Sequence, residues 1–289
     1  MDEVEKQPPE LWHHIVNALD LTCPKDKLPA LSGLATEIER LRPGDQYLAG
    51  LWRSTFMLDV LWRRRRMDDW YISAWDEHYD MHNVFDLSAS DRQKFQNEVW
   101  NREMRSIKIK RDFPEYVAPS WSWASVNTQI EYDKDVNSPT LNLEDLEFAR
   151  LVDVNCLPKH QNVKGELTSA YVILRGKIAL VQAVRMGGSP LSYRLYRNGH
   201  AIVFTEEDFG ISHRRNPLLK AKELYCFRIA AGLMKGRAGI AKVYGLVLHA
   251  IENRDGEYER VGMFEHAFEC GKEWSVFDGI DEETEVKIV

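Results

Sequence analysis

The apolar spacing of this chain changes near residue 120, and that change constrains the fold more than any single motif does. Before it, apolar residues recur every three or four positions, the period of a helix with one buried stripe. After it they mostly alternate, the period of a strand with one buried face. In "PPELWHHIVNALD", Leu11, Trp12, Ile15, Val16 and Leu19 form one stripe, and Pro9 suits a first helical turn. "DKLPALSGLATEIERL" repeats the pattern through Leu28, Leu31, Leu34, Ile38 and Leu41 and is closed by Pro43-Gly44. "QYLAGLWRSTFMLDVLW" predicts a third helix, buried through Leu48, Leu51, Trp52, Thr55, Leu58 and Leu61. "SASDRQKFQNEVWNREMRSI" predicts another, with Ser90 and Gln93 at capping-box spacing. Its apolar face is thin (Phe95, Val99, Met104), which suits a surface or the cover of a groove.

Beyond residue 120 the runs "EFARLVDV", "SAYVILRG", "KIALVQAV", "LYCFRIAA", "AKVYGLVLHAIE", "EYERVGMFEHAF" and "EVKIV" read as strands, with Gly176 kinking one into the next. "SYRLYRNGHAIVFT" is a hairpin signal, because Asn198-Gly199 suits the left-handed residues of a type I′ turn. Asp255-Gly256 marks a further turn. Roughly seven to nine strands on short connections predict an antiparallel barrel or sandwich. The expected fold class is α+β. A helical region over 1–118 packs on a mainly antiparallel β-barrel or β-sandwich over 119–289, in one compact unit.

The net charge of −7 argues against a dedicated nucleic-acid binder, which carries a basic surplus. The run Arg63 to Arg66 and the "KIKR" at Lys108 to Arg111 read as solvated cations near helix ends. Cys23, Cys156, Cys226 and Cys270 are far apart and form no C-x-x-C, so neither a disulfide framework nor a zinc knuckle is expected. The acidic opening "MDEVEKQPPE" is not a targeting signal, and no apolar run reaches the length of a membrane span. A cytoplasmic chain without nucleic-acid or membrane partners is expected.

Catalytic signatures are missing. There is no G-x-S-x-G, H-E-x-x-H, G-x-x-x-x-G-K-[ST] or strand-bound G-x-G-x-x-G, and "GLMKGRAG" reads as a hairpin loop. His78 and His82 stand four apart beside Glu77 and Asp80, which on a helix would put both imidazoles on one face. No third ligand is identifiable, so neither metal nor cofactor is expected. His249 lies in an apolar strand, as a wall residue or a catalyst. Strict alternation puts Tyr258, Arg260, Gly262 and Phe264 on one face; if that face points inward, Arg260 is a buried cation that needs an ion-pair partner or a ligand. In "APSWSWASV", Pro119 favours an extended entry, which would give Trp121 and Trp123 a common face. They read as an anchor between the two halves, or as pocket walls.

Three stretches in order, "DKLPALSGLA", "YLAGLWRSTFMLDVLW" and "YVAPSWSWASV", together with "GELTSAYVILRG", "YERVGMF" and "VKIV", give the chain a family likeness. It resembles the region that follows the HET domain in fungal heterokaryon-incompatibility proteins, over nearly its whole length. The resemblance implies a fungal origin and the helix-plus-β architecture. The HET module itself is not matched, so its signalling role is not implied. The family's short link between the second and third blocks is long here, which makes about 67–110 an insertion.

By elimination, chemistry on this chain needs little beyond shape and a few hydrogen bonds. The expectation is a cofactor-independent small-molecule cyclase, such as a pericyclase for Diels–Alder-type cycloaddition in terpenoid or polyketide metabolism. Its expected catalytic groups are Arg53, Arg260 and His249. The walls expected around a hydrophobic substrate are Trp121, Trp123, Trp75 and Tyr258. The alternative is a non-enzymatic interaction or regulatory protein derived from an incompatibility factor. The two differ in whether Trp70, Tyr71, Trp75 and Trp100 form a flat patch for a protein partner or face a cavity.

Overall fold

A computed structural model describes residues 23–64, 116–126, 130–132, 147–185, 193–202, 204–207, 223–234, 239–270 and 275–289. The predicted helices at 9–20 and 88–107 lie outside these residues. The second predicted helix forms as α1 (Lys27–Leu41), which buries Leu28, Leu31 and Ala35. Gly44, at φ +85°, takes the left-handed conformation that follows the helix end.

The third predicted helix does not form. Ala49 and Gly50 both take positive φ, 48° and 98°, and this reverses the chain. Tyr47–Leu48 (β1) and Leu51–Trp52 (β2) pair antiparallel across that turn. A 3-10 turn, Arg53–Thr55, and one short helical turn, Phe56–Asp59, then lead to β3 (Trp62–Arg64). Helical spacing misled here because the segment buries apolar groups on every side. Leu48, Leu51, Trp52, Phe56, Val60, Leu61 and Trp62 are each at most 1% exposed. With apolar groups buried on so many sides, a stripe carries little information about the period.

The second half is mostly strand, as the alternation predicts. It comprises β5 (Glu147–Phe148), β6 (Arg150–Pro158), β7 (Leu167–Gly176), β8 (Ile178–Arg185), β9 (Tyr193–Arg197), β10 (His200–Ile202), β11 (Phe204–Glu207), β12 (Glu223–Leu233), β13 (Ile240–Ala250), β14 (Glu257–Glu269) and β15 (Thr284–Ile288). These join one large sheet along the path β10-β9-β8-β12-β13-β14-β15-β7-β6. The sheet is mixed, because β14 and β15 run parallel. β4 (Ile130–Tyr132) pairs separately with β3.

Among the described residues the sheet does not form a closed barrel. The two-residue β5, one position before β6, pairs back on β12 at Ala230 and Ala231. Gly176 ends β7, and β8 begins two residues on. β7 pairs with β6 and β15, whereas β8 pairs with β9 and β12. The hairpin from β9 to β10 is as predicted, with φ +52° at Asn198 and +81° at Gly199.

The central strands are covered on both faces. Tyr244, Leu246 and Leu248 of β13 belong to the larger core cluster, with Trp62, Trp121 and Trp123. Val243 and Val247 belong to a second cluster with Val181, Phe264 and Phe277. Gly245 lies between the two neighbouring strands, where an added Cβ would sit 2.2 Å from the Phe227 carbonyl oxygen and 2.4 Å from the Phe264 ring. No helix among the described residues is long and apolar enough to cross a membrane.

Candidate functional site

The Trp-Ser-Trp block sits at the seam between the first half and the sheet. It is a turn, not an extended segment: Ser122 N–H donates to the Pro119 carbonyl (3.0 Å), and a 3-10 turn, Trp123–Ser125, follows. A turn directs successive side chains by its own geometry, so the period-two argument does not apply. Each side chain has a structural task. Trp123 Nε1 donates to the Gly50 carbonyl at 3.0 Å. Ser122 Oγ donates to the Ala49 carbonyl at 2.6 Å and accepts from Ala124 N–H at 3.1 Å. The Trp121 carbonyl accepts from Trp62 Nε1 at 2.9 Å, and its indole meets Phe56 edge-on at 5.6 Å. Lys27 Nζ donates to the Val126 carbonyl, which brings α1 into the same seam. Trp121 and Trp123 are 0% and 3% exposed, and both belong to the core.

This packing explains Gly50. Its φ of +98° suits glycine, and an added Cβ would stand 2.7 Å from Trp123 Nε1. Gly50→Ala is expected to cost about 2–4 kcal/mol, from the left-handed backbone and the displaced indole together. Chemical denaturation followed by tryptophan fluorescence checks this, and a loss below about 1 kcal/mol would contradict it.

Arg260 is wholly buried, and two of its hydrogen bonds run to main-chain carbonyls. Nη1 donates to the Val60 carbonyl at 2.6 Å, and Nη2 donates to the Trp62 carbonyl. The guanidinium lies 3.5 Å over the Trp62 ring, a stacked cation–π contact. The Arg260 N–H donates to Ser120 Oγ at 2.9 Å, so the residue ties β14 to both β3 and the Trp-Ser-Trp turn. A β-bulge at Val261 breaks the expected alternation, because Leu248 pairs with Arg260 while Val247 pairs with Gly262. Val261 and Phe264 therefore share the second core, and Met263 joins the first.

Of the other predicted groups in the described residues, Tyr258 packs at the edge of this core, whereas Arg53 and His249 are not among its residues. Arg53 is exposed, with Nη1 3.4 Å from Gln46 Oε1. His249 Nδ1 lies 3.1 Å from Glu259 Oε1, a cross-strand pair of β13 and β14. Tyr258 is half-buried and meets Tyr225 edge-on at 5.4 Å; its burial pushes the phenol pKa up. Trp75 lies outside the described residues, as do Trp70, Tyr71, Trp100 and the His78/His82 pair. Among the described residues no three His, Cys, Asp or Glu side chains are grouped to hold a metal ion.

An open cleft of about 730 Å³ lies elsewhere, on β8, β9 and the first residue of β12. Leu180, Val184 and Ile280 supply its apolar lining, and Gln182, Tyr196 and Glu223 its polar lining. The Asn198-Gly199 turn forms part of its rim. Arg197 donates to the carbonyls of Val276 and Asp278 at 2.8 and 2.9 Å, which fixes the loop carrying Ile280 against the hairpin. The sequence does hold a signal for this cleft. In "KIALVQAV" both alternating faces are apolar. Ala179 and Val181 are buried in the second core, whereas Leu180 and Val184 remain 49% and 44% exposed. Chemically, the cleft offers apolar contact beside amide, phenol and carboxylate groups.

Comparison with family models, with curated proteins and with solved structures returns no match for this chain.

Proposed function

We propose that this protein is a cofactor-independent cyclase acting on a hydrophobic small molecule, with the cleft on β8 and β9 as its substrate site. The observation that carries this reading is the cleft itself: its volume of about 730 Å³ lies in the range of small-molecule sites, and a few polar groups stand among apolar ones. Leu180, Val184 and Ile280 would hold an apolar chain folded on itself. Gln182 and Tyr196 would donate to a substrate carbonyl and draw electron density from the reacting alkene. The reaction would be an isomerisation, such as a cycloaddition in which two π bonds become two σ bonds with no atom gained or lost. Descent from the post-HET region of a fungal incompatibility protein, a cytoplasmic setting and a role in specialised metabolism belong to the same proposal. Its family part is supported by the way the three sequence blocks meet in one buried seam.

The test is incubation of the purified protein with a panel of linear polyenes and polyprenyl carbonyl compounds, read by mass-resolved chromatography. A new product of unchanged mass is expected from the wild type, and little or none from Val184→Lys, which places a cation on the cleft floor. No isomerisation across the panel would overturn the enzyme reading. A second reading, an interaction protein, is favoured by one observation: the exposed apolar side chains of Leu180 and Val184 face an open cleft.

A further inference from the structure

The polar lining of the cleft is arranged as a row across three strands. Tyr196 of β9 stands directly opposite Gln182 of β8, and Gln182 stands directly opposite Glu223 of β12. Directly opposed residues of antiparallel strands point to the same face of the sheet. The phenol, the amide and the carboxylate therefore share one face, in that order, at strand steps of about 4.8 Å. Leu180 and Val184 lie two residues to either side of Gln182 on β8, so they flank the row on that face, 49% and 44% exposed. An apolar border thus runs beside a polar line that ends in a negative charge.

That charge is left to solvent. Glu223 is exposed, and among the described residues no side chain forms an ion pair or a hydrogen bond with it. Arg197, the basic residue of the lining, turns its guanidinium to the Val276 and Asp278 carbonyls instead. A ligand that fills the cleft covers Glu223 and removes its water. A carboxylate stripped of water and left unpaired is costly. A hydrocarbon chain returns nothing for that loss, and a ligand carboxylate adds like-charge repulsion. An alkylammonium group returns both an opposite charge and N–H donors.

We propose that the ligand of this cleft is a protonated amine, with its ammonium group on Glu223 and its apolar body along Leu180 and Val184. The proposal rests on the cleft being the substrate site and narrows the class of substrate. With Gln182 and Tyr196 on a carbonyl, the strand spacing sets the amine roughly 5–10 Å from that carbonyl. The class is then an amino-carbonyl compound with a long unsaturated chain. The amine makes and breaks no bond. It selects the chain and orients it, and Glu223 is a binding residue that rejects acids of the same length.

The test uses the full chain and three eight-carbon probes, octylamine, octanol and octanoate. Each is titrated near pH 7 and read from the carbon-13 methyl shifts of Leu180 and Val184. Octylamine is expected to bind on the order of tenfold or more tightly than octanol, with octanoate the weakest. Glu223→Gln, which keeps the size of the side chain, is expected to erase that preference and leave octanol binding unchanged. Glu285→Gln, at an exposed acid of β15, is expected to keep the preference. Equal binding of octylamine and octanol, with the Leu180 and Val184 methyls shifted by both, would overturn the amine and leave the cleft standing. A preference that survives Glu223→Gln would also overturn it, since the net charge of −7 would then be the cause. Unshifted methyls with all three probes would overturn the cleft and the amine together.

Discussion

Arg260→Ala is expected to lower folding stability by about 3–5 kcal/mol, among the largest losses from any single truncation in this chain. Three effects add. The side chain leaves a void where it was fully enclosed. The Val60 and Trp62 carbonyls lose their buried donors. The Trp62 ring loses a guanidinium stacked 3.5 Å away. Arg260→Lys restores a charge but not the planar fork that serves both carbonyls, so it is expected to recover less than half of the loss. Arg260→Met keeps much of the volume and separates packing from hydrogen bonding. Urea unfolding of the three variants gives the ranking wild type, Lys, Met, Ala. A loss below about 1 kcal/mol for Arg260→Ala would show that the clamp is not structural.

Gly245→Ala is expected to cost at least about 3 kcal/mol or to prevent folding. The reason is where the methyl group must go. At 2.2 Å from the Phe227 carbonyl oxygen it meets main chain on the neighbouring strand β12, which moves only if the β12–β13 pairing moves. The Phe264 ring, 2.4 Å away, is the softer contact. Adding Phe264→Leu should therefore restore only part of the stability. Thermal unfolding of the single and double variants checks this, and full recovery in the double variant would contradict the main-chain clash.

Much of the fold was legible in the sequence. The stripe of α1, the Asn198-Gly199 hairpin and the alternation of β12 to β14 each announce themselves locally, because one buried face imposes a period. What stayed hidden depends on contacts distant in sequence. The positive φ at Ala49 is visible only once Gly50 is seen packed against Trp123. β7 and β8 adjoin in sequence yet pair with different strands, and the alternating pattern does not say which. The Val261 bulge shifts the inward set by one residue. Alternation made Arg260 a buried cation only if its face pointed inward, and two of its acceptors are carbonyls about two hundred positions away, which no side-chain pattern encodes. Of the predicted site residues, Trp121, Trp123 and Arg260 meet in one place, and what they form there is a joint. The cleft was not identified because the two-sided apolar pattern of β8 does not say which face stays partly exposed.

Under the proposed function, the seam holds the fold and the cleft on β8 and β9 would meet the ligand. The most direct measurement of that separation is isomerisation per folded molecule, taken beside unfolding curves, for the wild type, Val184→Lys and Trp123→Phe. Trp123→Phe, which loses the donor to the Gly50 carbonyl, is expected to lose about 1–2 kcal/mol of stability and keep its turnover. Val184→Lys is expected to keep its stability within about 0.5 kcal/mol and lose turnover by tenfold or more. The opposite pairing, turnover lost at Trp123 and kept at Val184, would place the chemistry at the seam and contradict the account.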